Sequence, residues 1–327
     1  MEQTAVEKKF GKYVMASMIT MFLQSAYSMI DGLFVSNLIG DTALSAVNVA
    51  WPVIAVVTAI GTGVGCSGAV MMSTKQGEGK NEESNIVRAN VILALLASSI
   101  VVTILFLVLL TPLLKLMGAE GELLRLSQIY GRVMLTGGVL QILSCGLTPL
   151  LRNDNRAVSA MMIMVGGLFA NLGLDFVFMY VFHMGIGGAA GASLCAQLFT
   201  TLCCLIILGT KKTDPIRFSQ FMIRKEYWKK IFKTAVSPFG ISLTPSLLIL
   251  YHNVACLKFG GDLAVNAYAL ISSTVGSYRV LLIGVAEGIQ PLASYAYGAH
   301  DFHAIRKIRN KAVITAIGAV SYTHLTL

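Results

Sequence analysis

VILALLASSIVVTILFLVLL, residues 91–110, carries no charge and no proline. A helix of that length rises about 30 Å, the thickness of a bilayer's hydrocarbon core. The 327-residue chain around it is of the same kind: 55% of residues are hydrophobic, only 13% are charged, and the mean hydropathy is +0.73. A soluble globular chain holds roughly 25% charged residues, so these charges are too few to cover a water-exposed surface. Intrinsic disorder, collagen and a disulfide scaffold are excluded by the apolar content and by the lack of a suitable repeat or cysteine framework. An outer-membrane barrel is disfavoured because its strands alternate in polarity and give no long uncharged runs. The fold class is therefore all-α, a polytopic membrane protein.

Working outward from residues 91–110, the same reading predicts helices near 13–36, 44–73, 89–111, 126–148, 158–182, 187–209, 232–258, 263–291 and 309–325. The first is not a signal peptide, since its apolar run is long and no small-residue cleavage site follows. Lysine and arginine alternate between the two sets of loops. Lys8, Lys9, Lys12, Lys75, Lys80, Arg88, Arg152, Arg156, the basic residues of 211–233, and Arg306, Lys307, Arg309 and Lys311 fall on the side of the N-terminus. Only Lys115, Arg125 and Lys258 fall opposite, while Arg132 and Arg279 lie inside spans. The positive-inside rule then predicts a multi-pass protein of the plasma (inner) membrane with a cytoplasmic N-terminus. The net charge of +9 follows from topology and anionic headgroups, so membrane lipid is an expected partner and nucleic acid is not. Cys66, Cys145, Cys195, Cys203, Cys204 and Cys256 all lie in predicted spans without metal-ligand spacing. They read as small packing residues, and no metal centre is expected from them.

Sliding the sequence by 221 positions lays the first two spans on the seventh and eighth. Gly40-Asp41 falls on Gly261-Asp262, Ala43 on Ala264, Ala46 on Ala267, Gly63-Val64 on Gly284-Val285, Ser73 on Ser294, Gly77 on Gly298 and Arg88 on Arg309. An even number of spans separates the copies, so the repeat is parallel, with its pseudo-two-fold axis along the membrane normal. The expected organisation is a six-helix lobe at 1–209, a cytoplasmic amphipathic linker at 210–231, and part of a second lobe, about three helices, at 232–327. On this reading the chain stops early, and its ending, SYTHLTL (321–327), differs from the apolar 100–106 so far that it is taken as non-native. Asp214-Pro215 breaks the linker, where Phe218, Phe221, Met222, Tyr227, Trp228, Ile231 and Phe232 alternate with basic residues. That pattern fits a segment lying on the inner leaflet, with a calmodulin-type target as the alternative.

Acidic residues inside spans carry the functional signal, because each is costly unless paired, hydrated or protonated. Asp31, Asp175 and Glu287 stand inside. Asp31 and Asp175 lie similar distances along helices that run the same way, which places both in the outer half of the membrane. Tyr27 and Asp31 are i,i+4, as are Asn171 and Asp175, and Ser193 on the descending sixth helix falls at the same level. These five polar groups form a candidate cation or proton site. A pair of buried carboxyls can exchange a proton or hold Na⁺ with carbonyl and amide oxygens; the alternative is a pair of outer-end acids reaching to water. In the second lobe, Glu287 and Arg279 are spaced to share a helix face and form an ion pair, with a structural or a substrate-facing role. His252 occupies the repeat position of Asp31, as a satisfied core histidine or a proton carrier, and Gln290 is a further polar group there.

Gly63-Val64-Gly65-Cys66-Ser67-Gly68 fits GxGxxG but lacks a βαβ context, so it reads as close helix packing. No HExxH, GxSxG or Walker A sequence is present, and no enzymatic activity is expected.

Several segments together resemble the multidrug and toxic compound extrusion (MATE) family. They are Ile30-Asp31-Gly32-Leu33-Phe34-Val35-Ser36-Asn37-Leu38-Ile39-Gly40 with Ala43-Leu44-Ser45-Ala46-Val47-Asn48, Asn171-Leu172-Gly173-Leu174-Asp175, Ser237-Pro238-Phe239-Gly240, and Gly288-Ile289-Gln290-Pro291 running to Tyr297-Gly298-Ala299. The resemblance implies two six-helix lobes around a central cavity. It also implies export of small amphipathic, often cationic, compounds against H⁺ or Na⁺ entry, with the coupling ion as the sole cofactor and the chain expected as a monomer. The family's cation site maps onto Tyr27, Asp31, Asn171, Asp175 and Ser193, with Na⁺ held at Asp31, Asp175 and Asn171. Many members carry a proline early in the first helix, where this chain has Ala16, so a proline-kinked first helix is not expected to be the moving part. The alternatives are a lipid-linked oligosaccharide flippase of related fold, which would use a cationic furrow including Arg132 and Arg279, and a non-transporting scaffold or receptor.

Overall fold

The computed structural model describes residues 3–210 and 220–326, and among them no strand occurs. Its helices are α1 (Gln3–Leu38), α2 (Asp41–Gly77), α3 (Asn81–Leu116), α4 (Gly121–Thr136), α5 (Gly138–Asn153), α6 (Ala157–Asp175), α7 (Gly185–Gly209), α8 (Lys225–Gly298) and α9 (Phe302–Thr326). Where the chain must reverse within a few residues, it uses the left-handed region: Gly40 (φ 120°) joins α1 to α2, and Asn155 (φ 64°) turns α5 into α6.

Among the described residues, five helices are long and apolar enough to cross a membrane. A sixth span results if α4 and α5, bent by 58° at their junction, are counted together. The single span predicted at 126–148 is therefore broken, at Gly137-Gly138. A break leaves helical carbonyls without their usual donors, and the fully buried Gln141 fills one gap, its Nε2 donating to Met134 O at 2.5 Å.

The two helices expected at 232–258 and 263–291 lie within one continuously helical element, α8. It is not a straight rod. The His252 and Tyr268 rings stack with centroids 4.9 Å apart, although sixteen residues of straight helix would separate them by about 24 Å. Likewise Ser67 Oγ donates to Ile231 O and Ser73 Oγ to Pro291 O, so both ends of α8 return to neighbouring turns of α2. The element doubles back between His252 and Tyr268, the stretch that holds Gly260-Gly261-Asp262, and its two limbs run antiparallel as two spans would.

Close packing depends on small residues. A Cβ at Gly61 would stand 2.7 Å from Ile142 O, and one at Gly65 would overlap the Gly146 backbone. The GxGxxG-like run of α2 is thus a surface on which α5 and α3 seat. The main core, with Ile54, Leu95, Leu110, Leu135, Ile142 and Leu147 fully buried, belongs to α2–α5 with α6 and α7 around it. A second cluster joins Phe10 and Val14 of α1 to Val285 and Ala296 of α8 and to Ile308 and Ala312 of α9. Phe22, Leu33, Val101, Val108, Phe169 and Ile206 point outward, as side chains facing hydrocarbon do.

Residues 211–219 of the expected linker, with Asp214-Pro215 and Phe218, lie outside the described residues, as do the side chains of the 321–327 ending. Where the chain resumes, buried Asn90 of α3 ties it down. Asn90 Nδ2 donates to Met222 O at 3.2 Å, and its Oδ1 accepts from the Arg224 N–H at 3.0 Å.

Candidate functional site

α1, α6 and α7 bring the five predicted polar groups together. Tyr27 Oη donates to Asn171 Oδ1 at 2.5 Å, and Asn171 Nδ2 donates to Asp175 Oδ2 at 2.8 Å. The Asp31 carboxyl lies within hydrogen-bonding reach of Asp175, and Ser193 stands beside Tyr27. Asp175 is fully buried and ends α6, where the chain widens into a π-helical turn, Phe176–Val181. Such turns inside helices are frequent at functional sites. Here the turn follows directly on the carboxyl, so its side chain leaves the helix where the backbone ladder changes register.

Asp31 Oδ1 and Asp175 Oδ1 are buried without a hydrogen-bond partner. Buried acceptor oxygens with no donor, on two neighbouring carboxyls, are costly unless a proton or cation joins them. The donor set around them, two carboxyls, an amide and hydroxyls, is all hard oxygen, which suits H⁺ or Na⁺ rather than a soft transition metal. Asp31, Asp175 and Asn171 are the residues that would hold Na⁺.

The second-lobe expectations fare differently. Glu287 does not pair with Arg279. Its Oε2 accepts from Arg152 Nη1 at 2.7 Å, while Arg279 is exposed on α8. The reason is reach across the bundle: Arg152, in the last turn of α5, meets Glu287 of α8, whereas Arg279 lies exposed two turns away along α8. Gln290 joins the same contact, its Oε1 accepting from Asn153 Nδ2 at 3.1 Å. His252 is stacked on Tyr268 at the far end of the α8 hairpin, with Nδ1 2.7 Å from Leu248 O, and is not part of the acid cluster. Arg132 of α4, like Arg279, is exposed, which gives a cationic furrow no support from this pair.

A polar layer that the charge reading placed in loops lies at the basic ends of the helices. Arg88 of α3 is fully buried, with Nη1 3.6 Å from Asp154 Oδ2, and Gln76 Nε2 donates to Asp154 Oδ1 at 3.3 Å. Tyr13 Oη donates to Asn155 Oδ1 at 2.8 Å, joining α1 to the α5–α6 turn. Beside this layer is a cavity of about 1050 Å³ whose walls include Tyr13, Gln76, Asn153, Asp154, Tyr295 and Asp301. The near-consecutive polar run Arg152, Asn153, Asp154, Asn155 was the available signal, but it resembles an ordinary hydrophilic loop.

The profile of the MatE family matches residues 16–177 and 241–325. Multidrug export protein MepA of Staphylococcus aureus (strain N315) is 25% identical over 325 residues, covering 98% of this chain and 70% of that protein. Among solved structures, a MATE in the bent conformation superposes with a TM-score of 0.89 at 25% identity, covering 96% of this chain and 70% of the other. The outward-facing conformation of a multidrug resistance MATE family transporter of the MOP superfamily gives a TM-score of 0.89 at 25% identity, covering 97% and 71%.

Proposed function

The chain belongs to the MATE family of multidrug transporters, and on that premise we propose that it is a secondary-active antiporter exporting small amphipathic or cationic compounds against the entry of H⁺ or Na⁺. The observation that carries the coupling step is the pair of buried, donorless oxygens on Asp31 and Asp175, beside the chain of hydrogen bonds from Tyr27 of α1 to Asn171 and from Asn171 to Asp175 of α6. A cation bound there removes an uncompensated cluster of acceptors. It favours whichever arrangement of α1 and α6 brings the two carboxyls together, and its release favours the other. A ligand shifts such an equilibrium only by its difference in affinity for the two states. Binding and release on opposite faces of the membrane would then drive alternating access.

The same reading takes residues 1–209 and 232–327 as parts of two lobes joined by the linker 210–231. It places the protein in the plasma membrane as a monomer with its basic, N-terminal end in the cytoplasm. Support for that orientation is the bias of lysine and arginine toward one set of helix ends.

Reconstituted vesicles loaded with a fluorescent cationic dye, under an imposed pH or Na⁺ gradient, test the proposal. Efflux should follow one of the two gradients, and Asp31→Asn or Asp175→Asn should abolish that dependence. If both variants pump as the unaltered protein does, the site assignment is wrong.

A further inference from the structure

Two consecutive residues at the end of α5 meet two residues one turn apart on the second limb of α8: Arg152 pairs with Glu287 at 2.7 Å and Asn153 with Gln290 at 3.1 Å. We propose that these four side chains form a breakable polar latch between the lobes, which holds the transporter closed on its cytoplasmic side. The inference rests on the alternating-access reading above.

The surroundings of the latch are built to part. Glu287 lies between Gly284 and Gly288, where α8 seats on α1 with almost no side chain between the backbones. A Cβ at Gly284 would stand 2.8 Å from Met18 Cα, and one at Gly288 2.6 Å from Val14 Cα. Further along, Ser73 Oγ donates to Pro291 O, and Gly77 and Gly298 let α2 and α8 approach backbone to backbone. These glycines set the closeness of the contact through backbone packing, and few interlocked side chains have to be withdrawn for the helices to part. The ion pair and the amide pair supply the direction.

Their placement also matters. Asn153 and Pro291 face the 1050 Å³ cavity, while Glu287 lies one turn farther from it along α8, so the latch begins at the cavity wall and continues away from it. Arg152 is only 8% exposed and Glu287 28%. Closed, the charges neutralise each other with little water present. Open, both would be hydrated. Removing one charge leaves the other buried without its counter-ion, and parting the lobes is the direct way to hydrate it. α1 connects the latch to the acid cluster, because Val14 and Met18 carry α8 while Tyr27 and Asp31, farther along the same helix, carry the candidate cation site.

The test uses the full-length protein in lipid nanodiscs, spin-labelled at the exposed positions Lys80 and His303 and read by pulsed electron resonance. In the unaltered protein without substrate, the short inter-lobe distance should dominate. Glu287→Gln and Arg152→Gln should each raise the ratio of long to short distances by about tenfold or more. The exchange Arg152→Glu with Glu287→Arg should restore it, and the uncharged variant Gln290→Leu should shift it in the same direction by less. Unaltered distributions in both single-charge variants and in Gln290→Leu overturn the latch, as does an exchanged pair that behaves like the single variants. If the unaltered protein changes distance with cation or substrate while Glu287→Gln matches it, the latch alone falls. If no condition changes the distance, alternating access falls with it.

Discussion

Arg88 and Glu78 show how differently the same kind of interaction acts by depth. Glu78, in the loop after α2, accepts from Lys75 and from Lys80, each at 3.0 Å. These hydrogen bonds hold its carboxyl below the usual carboxylate range. A lowered carboxyl stabilises the fold at neutral pH and loses that contribution as pH falls through its folded-state value; solvent screening keeps the effect small. Arg88 and Asp154 are almost completely buried. Arg88→Leu should cost roughly 3–5 kcal/mol, since it removes the buried cation that faces the Asp154 carboxyl. Thermal unfolding in detergent measures this, and a loss below about 1 kcal/mol would show that the pair adds little. Asp31 and Asp175 stood out in the sequence because a carboxyl within a long apolar run is costly unless it is paired, hydrated or protonated. Arg88, Arg152 and Asp154 were not, because near the ends of spans a buried polar residue and a solvated one leave the same trace in hydropathy.

Glycine spacing decides how closely the helices approach. At Gly65 an added methyl would overlap the Gly146 backbone, whereas at Gly173 nothing lies within 4 Å. Gly65→Ala should therefore destabilise by about 1–3 kcal/mol through forced separation of α2 and α5. Gly173→Ala should be neutral or stabilising by up to about 1 kcal/mol, from helix propensity. Unfolding midpoints of the two variants, compared in one detergent, check the contrast; equal losses would refute it. Apolar run lengths located α2, α7, and α6 with its π-helical turn to within a few residues of their ends. By contrast, α1 and α3 begin eight to ten residues before the spans predicted at 13–36 and 89–111, because their polar first turns continue the helix beyond the apolar run. They missed the break between α4 and α5, because Gly137-Gly138 in an apolar run reads equally well as packing surface. The α8 hairpin was legible through Gly260-Gly261-Asp262, yet helical hydrogen bonding continues around the reversal.

Across the whole molecule, the basic ends of the helices and the cavity lie together, while the acid cluster sits farther along α1. Lys80 and Lys115 stand just outside and near the opposite ends of α3, and both are exposed. With the N-terminus in the cytoplasm, Lys115→Cys in intact cells should react with a membrane-impermeant maleimide, and Lys80→Cys only after permeabilisation. The reverse pattern would invert the topology and move the latch to the other face.

Composition and the length of uncharged runs were enough to establish a helical membrane protein, because hydrocarbon tolerates so few backbone and side-chain solutions; the family resemblance came from particular segments such as 30–40 and 171–175. The i,i+4 pairs Tyr27–Asp31 and Asn171–Asp175 could be read for a similar reason: helix geometry turns a short spacing into a shared face. The partner of Glu287 could not. Burial implies that a charge needs a counter-ion, and spacing along one helix pointed to Arg279; helix crossing instead brought together Glu287 and Arg152, 135 positions apart. Local sequence sets which groups are costly to bury, and only the packing of distant helices decides which group compensates them.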